Sequence, residues 1–195
     1  MNEKKPDFEI ISWESLRDLI EIIAKKVKES GYKPDIIIGL ARGGWAIARL
    51  LCDYLTVKHF VSLNVNYWGV LKSSHDKSNL FIHNLDLSKE RILIVDDVNK
   101  DRNMEKSVEF LKKLKPIEIR TLALIYIKDS GFMPDYYAKK ISRRGIIFPW
   151  NYMEEMINYE AIRHVKTKLN QEEKLEGLRR RFFQNKETKW ENLLY

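Results

Sequence analysis

The chain has 195 residues, of which 44% are hydrophobic and 32% charged, enough for one well-buried domain with an appendage and far from a disordered composition. Its net charge of +7 favours anionic partners: phosphorylated metabolites, nucleic acid or a membrane surface. A single cysteine, Cys52, excludes an intrachain disulfide, and the four histidines show no tight zinc spacing. No apolar run is long enough to span a bilayer, and "MNEKKPDFEI" lacks a signal peptide's apolar centre, so a cytoplasmic protein is expected.

In chain order, "SWESLRDLIEIIAKKVKES" predicts a helix capped by Ser12 and stopped at Gly31, with Leu16, Leu19, Ile20, Ile23 and Val27 on one face. "DIIIGL" (35–40) is a continuous apolar run, as in a strand covered on both faces. "ARGGWAIARLLCDYL" turns from it into a second helix, on which Cys52 belongs to the buried side. "HFVSLNVNYW" (59–68) is a further strand, and "GVLKSSHDKSN" is polar and aperiodic, a long loop of the kind that carries function. "RILIVDD" (91–97) is another buried strand, and "NMEKSVEFLKKLK" an amphipathic helix ending before Pro116. "EIRTLALIYIK" (118–128) is a strand, "YYAKKIS" and "GIIFPW" are short strands or extended segments, and from about Tyr152 the pattern is helical. Strands alternating with helices predict a parallel α/β sheet, whose ligands bind beyond the carboxyl ends of the strands. The three strongest strands end in "GLARGGW", "VDDVNKDRN" and "IYIKDSG", which would then face one crevice.

Each end has its own chemistry. In Gly39-Leu40-Ala41-Arg42-Gly43-Gly44 the glycines let backbone N–H groups approach an anion, a helix N-terminus adds partial positive charge, and Arg42 adds a full one. The pattern is neither a Walker loop nor Gly-x-Gly-x-x-Gly, and the same glycines could serve only to make a tight turn. Asp96 and Asp97 can accept hydrogen bonds from sugar hydroxyls, directly or through Mg²⁺ and its waters; one could instead cap the next helix while the other pairs with a lysine. Lys128 can donate to a carbonyl oxygen, or be a solvated strand-end lysine. Trp150, after Pro149, offers a flat face to a planar heterocycle, or is a core residue.

Taken together, "IIIGLARGG", "ILIVDDV", "ALIYIK" and "IIFPW", in this order over roughly residues 35–152, resemble the type I phosphoribosyltransferases, and among them the xanthine–guanine and hypoxanthine–guanine enzymes of purine salvage. The resemblance implies a doubly wound, mainly parallel α/β sheet with a small hood region, here residues 1–152, followed by a C-terminal helical extension, 153–195, packing on the domain or a second subunit. It implies a glycosyltransferase that moves ribose 5-phosphate from phosphoribosyl pyrophosphate (PRPP) to a purine base. Pyrophosphate and a purine nucleoside monophosphate are released, Mg²⁺ assists, and a homodimer is expected. Ala41, Arg42 and Gly43 would bind pyrophosphate. Asp96 and Asp97 would meet the ribose hydroxyls and the metal, directly or through water. Lys128 would meet the purine's exocyclic oxygen, favouring a 6-oxopurine, and Trp150 would stack on the ring. The segment around 67–80 would close over the reaction and exclude water.

The sequence departs from the family in one place. The family continues after its acid pair with Asp-Thr-Gly, a small residue and Thr or Ser, a loop that wraps the 5′-phosphate. Here the loop is Asn99, Lys100, Asp101, Arg102, Asn103 and Met104, with Lys100 at the Asp position, Arg102 at the Gly and Met104 at the final hydroxyl. In one reading Lys100 and Arg102 replace hydroxyl donors by charge and Asp101 serves as acid–base group. In the other, Arg and Met side chains fill the pocket and the protein is a non-catalytic or regulatory nucleotide-binding relative. Nucleic-acid binding through the basic "KLEGLRRRFFQNK" (174–186) is a weaker alternative; the same residues suit an amphipathic surface helix.

Overall fold

The computed structural model describes residues 8–66, 69–70, 85–99, 102–128, 130–142 and 145–153. The chain divides into two units, Met1–Trp150 and Asn151–Tyr195, and the described residues lie almost wholly in the first. Lys100, Asp101, most of the 67–80 segment and the basic 174–186 segment fall outside the described residues.

Eight strands and three helices are described: β1 Phe8–Ile10, α1 Trp13–Glu29, β2 Ile36–Ala41, α2 Gly43–Leu55, β3 His59–Asn66, β4 Gly69–Val70, β5 Arg91–Asn99, α3 Asn103–Lys112, β6 Glu118–Ile127, β7 Tyr136–Ile141 and β8 Gly145–Ile147. The main sheet has the order β4-β3-β2-β5-β6-β7. Its pairs are parallel except β3 with β4. β1 and β8 form a separate two-stranded parallel sheet. This is the expected doubly wound α/β sheet with a small additional sheet.

The α1 boundaries follow from local chemistry. The Ser12 hydroxyl accepts from the Ser15 N–H at 3.2 Å, satisfying a helix-start donor. At the other end Gly31 takes φ +75°, the left-handed region that favours glycine after a helix. Leu16, Ile20, Ile23 and Val27 are buried, as the helical spacing predicts.

The continuous apolar runs are strands with two covered faces. Along β5, Leu93 and Val95 join one core with α1 and α2, while Ile92 and Ile94 join a second core with Met104 and Leu111 of α3. Only a sheet with helices on both sides needs both faces apolar. The starts of β2 and β5 are clamped together. Arg91 donates from Nε and its backbone N–H to Asp35 Oδ2, both at 2.9 Å, and from Nη2 to Oδ1 at 2.8 Å. The clamp and the register Gly39↔Val95 bring the upper ends of β2 and β5 together, setting the glycine turn beside the acid pair. No helix among the described residues is long and apolar enough to cross a membrane.

Candidate active site

β2 ends at Ala41, the Ala41–Arg42 peptide is cis, and α2 begins at Gly43 with Arg42 as N-cap. Arg42 is exposed at this helix start. Neither Gly43 nor Gly44 has positive φ, so the left-handed region does not explain them. The reason is close approach. A Cβ on Gly43 would fall inside the Asp97 carboxylate, and one on Gly44 would collide with the Val95 carbonyl and lie 2.8 Å from the Asp96 Cα. Thus "ARGG" and "VDD", more than fifty residues apart in the chain, are in contact, and each glycine is required by one acid or its backbone.

β5 runs two residues beyond the acid pair, to Asn99, so both acids sit within the strand. The Asp97 N–H donates to Asp96 Oδ1 at 2.9 Å, and the Val98 N–H donates to Asp97 Oδ1 at 2.8 Å. The Trp150 indole N–H donates to Asp97 Oδ2 at 3.3 Å. Burial pushes the Asp97 carboxyl above its usual range, with the Trp150 and Val98 hydrogen bonds pulling the other way.

Trp150 is half-buried and stacks on Phe148 with centroids 4.8 Å apart and planes 7° apart. Trp13, the first residue of α1, meets it edge-on at 6.2 Å. Lys128 is exposed just past the end of β6, its N–H donating to the Ile141 carbonyl at 3.0 Å. Since β5 and β6 are parallel with Asn99 beside Tyr126, Lys128 lies at the same rim as the acid pair. Cys52 is buried in α2, and burial raises its thiol pKa, the wrong direction for a nucleophile.

In the segment after the acid pair, Met104 departs from the pocket-filling expectation, while Lys100 and Asp101 lie outside the described residues. Met104 is only 1% exposed and packs in the core with Ile38, Ile94 and Leu111, so its side chain fills the core and not a ligand pocket. Arg102, the α3 N-cap, is exposed and paired with Glu105 through two contacts of 2.6 and 3.0 Å. Asn99 is buried, its amide donating to the Phe132 carbonyl while its Oδ1 has no hydrogen-bond partner. Asn103 begins α3, with Ser107 Oγ donating to its carbonyl at 2.8 Å. A cleft of about 360 Å³ between α3 and the β6–β7 connection, lined by residues such as Lys112, Phe132 and Asp135, contains none of the candidate residues.

Sequence reasoning missed Trp13 and Glu105. The signal for Trp13 was a large aromatic at a helix start, where an amphipathic pattern gives it no core position. Glu105 carried the ordinary signal of an acid in a helix's first turn, three residues after an arginine.

Among the described residues no group of three or more His, Cys, Asp and Glu assembles. Two adjacent carboxylates nevertheless suit Mg²⁺, which keeps several waters and binds through one or two protein carboxylates together with substrate phosphates. With Asp97 already receiving two donors, its part is better filled through water than by direct ligation.

The comparisons with known proteins bear on the family and the fold. A family model for the phosphoribosyl transferase domain matches residues 11–155. The crystal structure of a purine phosphoribosyltransferase from Pyrococcus horikoshii is similar at 32% identity and TM-score 0.62, covering 74% of this chain and 94% of that one. A xanthine-guanine-hypoxanthine phosphoribosyltransferase from Helicobacter pylori shares the fold at 17% identity and TM-score 0.62, covering 78% of this chain and 99% of that one. A hypothetical protein from Neisseria gonorrhoeae with bound ppGpp does so at 20% identity and TM-score 0.62, covering 82% and 99%. No curated protein matches the sequence significantly. With a family match over most of its length and the glycine turn packed on the acid pair, this chain belongs to the phosphoribosyltransferases, the PRPP-dependent transferases of type I fold.

Proposed function

We propose that the protein transfers ribose 5-phosphate from PRPP to a purine base, with a 6-oxopurine favoured over adenine. The contact of Gly43 with an Asp97 carboxylate that also holds the Trp150 indole carries this reading. It ties an anion seat, a sugar-binding acid and an aromatic plane into one unit. As the ribose–pyrophosphate bond breaks, negative charge grows on the leaving group, and Arg42, the N-cap of α2, with that helix's N-terminus would meet it. Asp96 and Asp97 accept the ribose hydroxyls with their remaining lone pairs and fix the sugar. Lys128 donates to the base's exocyclic oxygen; it would be mismatched to an amino group. Trp150 supplies the stacking face. Asp96 and Asp97 would hold Mg²⁺ through water, and the ion would supply charge neutralisation for the pyrophosphate. Asp101 as acid–base group, closure by the 67–80 segment and a homodimer complete the proposal.

A second reading, a non-catalytic relative that binds nucleotides, is favoured by Met104 and Arg102. With Met104 in the core that position offers no hydroxyl to the 5′-phosphate, and Arg102 is already paired with Glu105. The α3 N-terminus remains, and a phosphate arriving there would compete with Glu105 for the Arg102 fork. Turnover of PRPP with guanine, hypoxanthine, xanthine and adenine, offered separately, discriminates the readings. Pyrophosphate release with one base supports the transferase; nucleotide binding without release supports the relative.

A further inference from the structure

Trp13 and Trp150 leave the small sheet in step. β1 and β8 are parallel, with Phe8↔Gly145, Glu9↔Ile146 and Ile10↔Ile147, and the Ile11 N–H extends the ladder to the Ile147 carbonyl at 2.8 Å. Each tryptophan stands three residues past the last pair, so the register itself sets the two indoles side by side. Their centroids are 6.2 Å apart and their planes cross at 64°.

Trp150 is held from two directions. Phe148, itself 1% exposed, covers one face by parallel stacking, and the indole N–H is tied to Asp97. Phe148 occupies one face of Trp150, so a planar ligand would use the other, with Trp13 meeting the indole in a T-shaped contact. Trp13 is 61% exposed, so it adds little to the core, yet it opens a helix whose inward face is otherwise well buried. A large ring left in solvent beside an anchored ring suits contact with something that the two rings share.

We infer that Trp13 is a second base-contacting residue: the α1 indole forms the other wall of the purine seat on Trp150, so the β1–α1 segment helps set base affinity. This rests on Trp150 being the purine seat. The ligand class is a planar heterocycle touched flat by one indole and by the other at the angle between them. The β1–β8 register is then a specificity element, because slipping it by one residue would part the rings.

The test uses the full chain and the variants Trp13→Ala, Trp13→Phe and Trp150→Ala. KM for guanine and for PRPP is measured with the other substrate saturating, and GMP affinity by calorimetry. Stacking on an aromatic changes affinity by roughly 5- to 150-fold, and a half-contact should lie near the lower end. Trp13→Ala should therefore raise KM for guanine and Kd for GMP about 5- to 10-fold. KM for PRPP should stay within about twofold, and Trp13→Phe should recover most of the loss. Unchanged guanine KM and GMP Kd in Trp13→Ala, with both raised in Trp150→Ala, would overturn this inference and leave the purine seat standing. No change in either alanine variant with the base that is turned over, or no binding of guanine, hypoxanthine, xanthine or their nucleotides by the wild-type chain, would remove the seat and the inference with it. Equal weakening of guanine and PRPP in Trp13→Ala, with a lowered melting temperature, would make Trp13 a structural residue and also overturn it.

Discussion

Replacing Gly43 by alanine should separate activity from stability. The added Cβ would overlap the Asp97 carboxylate, whose Oδ1, the farthest of the three atoms involved, would lie at 2.7 Å where ordinary contacts are 3.4–4 Å. The carboxylate must swing away, losing the Val98 N–H bond of 2.8 Å and the Trp150 bond of 3.3 Å. Hydrogen bonds to a charged group contribute roughly 1.5–3 kcal/mol each, the long Trp150 bond at the low end. Part of that loss is recovered, because burial already disfavours the Asp97 charge and release returns it to solvent. The net stability cost should be about 1–2 kcal/mol. Activity should suffer far more, since misplacing a substrate-positioning group by about 1 Å can cost about 10²-fold. Gly44→Ala is the contrast: its Cβ meets the Val95 carbonyl and Asp96 Cα, which are backbone and cannot swing aside. It should cost about 3 kcal/mol or more in stability. Urea unfolding and steady-state pyrophosphate release on both variants measure the two quantities. Wild-type turnover in Gly43→Ala, or equal destabilisation by the two substitutions, would refute the reasoning.

Two further outcomes concern the sheet and the altered loop. Met104→Ala should cost about 2–5 kcal/mol, because the side chain is 1% exposed in the core, and Met104→Thr should destabilise without lowering KM for PRPP; chemical unfolding with PRPP kinetics decides this, and a tightened PRPP site in Met104→Thr would show that residue 104 faces the ligand. The Arg91 side-chain and backbone hydrogen bonds hold the Asp35 carboxyl at about 2, down from 3.8. A lowered carboxyl contributes stability that is fully present above its unfolded value and is lost as pH falls from about 3.8 through about 2. A third of the Asp35 side chain meets solvent, so roughly 1 kcal/mol is expected at neutral pH. Asp35→Asn should lower the melting temperature by about 2–4 °C at pH 7, a difference that shrinks as pH falls through about 2. A pH-independent difference would contradict the linkage.

The parts of the fold that were legible in the sequence are those where local chemistry and burial agree. Ser12 and Gly31 bounded α1 because a cap and a left-handed stop act within a few residues. "DIIIGL" and "RILIVDD" announced a doubly covered sheet because both faces had to be apolar. The glycines and acids were legible as residues, while their mutual contact was not, since it depends on the register of β2 with β5. β1 escaped because Phe8–Ile10 has three residues in a charged terminus and finds its partner only near the other end of the domain. The pairing of Trp13 with Trp150 was hidden for the same reason. Met104 reads both as the start of the amphipathic helix and, by position in the family, as part of the phosphate loop; its burial follows from the α3 face it occupies, which periodicity at a helix's first turn cannot define.

The most direct measurement is pyrophosphate release from PRPP and Mg²⁺ with each purine base in turn, for the wild-type chain and for Asp96→Asn/Asp97→Asn. Turnover with a 6-oxopurine, abolished in the double variant, is the predicted result, and it would show that the loop from Lys100 to Met104 holds a phosphate without the family's glycine and hydroxyls. No release with any base from folded protein would contradict the transferase and leave the glycine turn and acid pair as a nucleotide-binding site without chemistry.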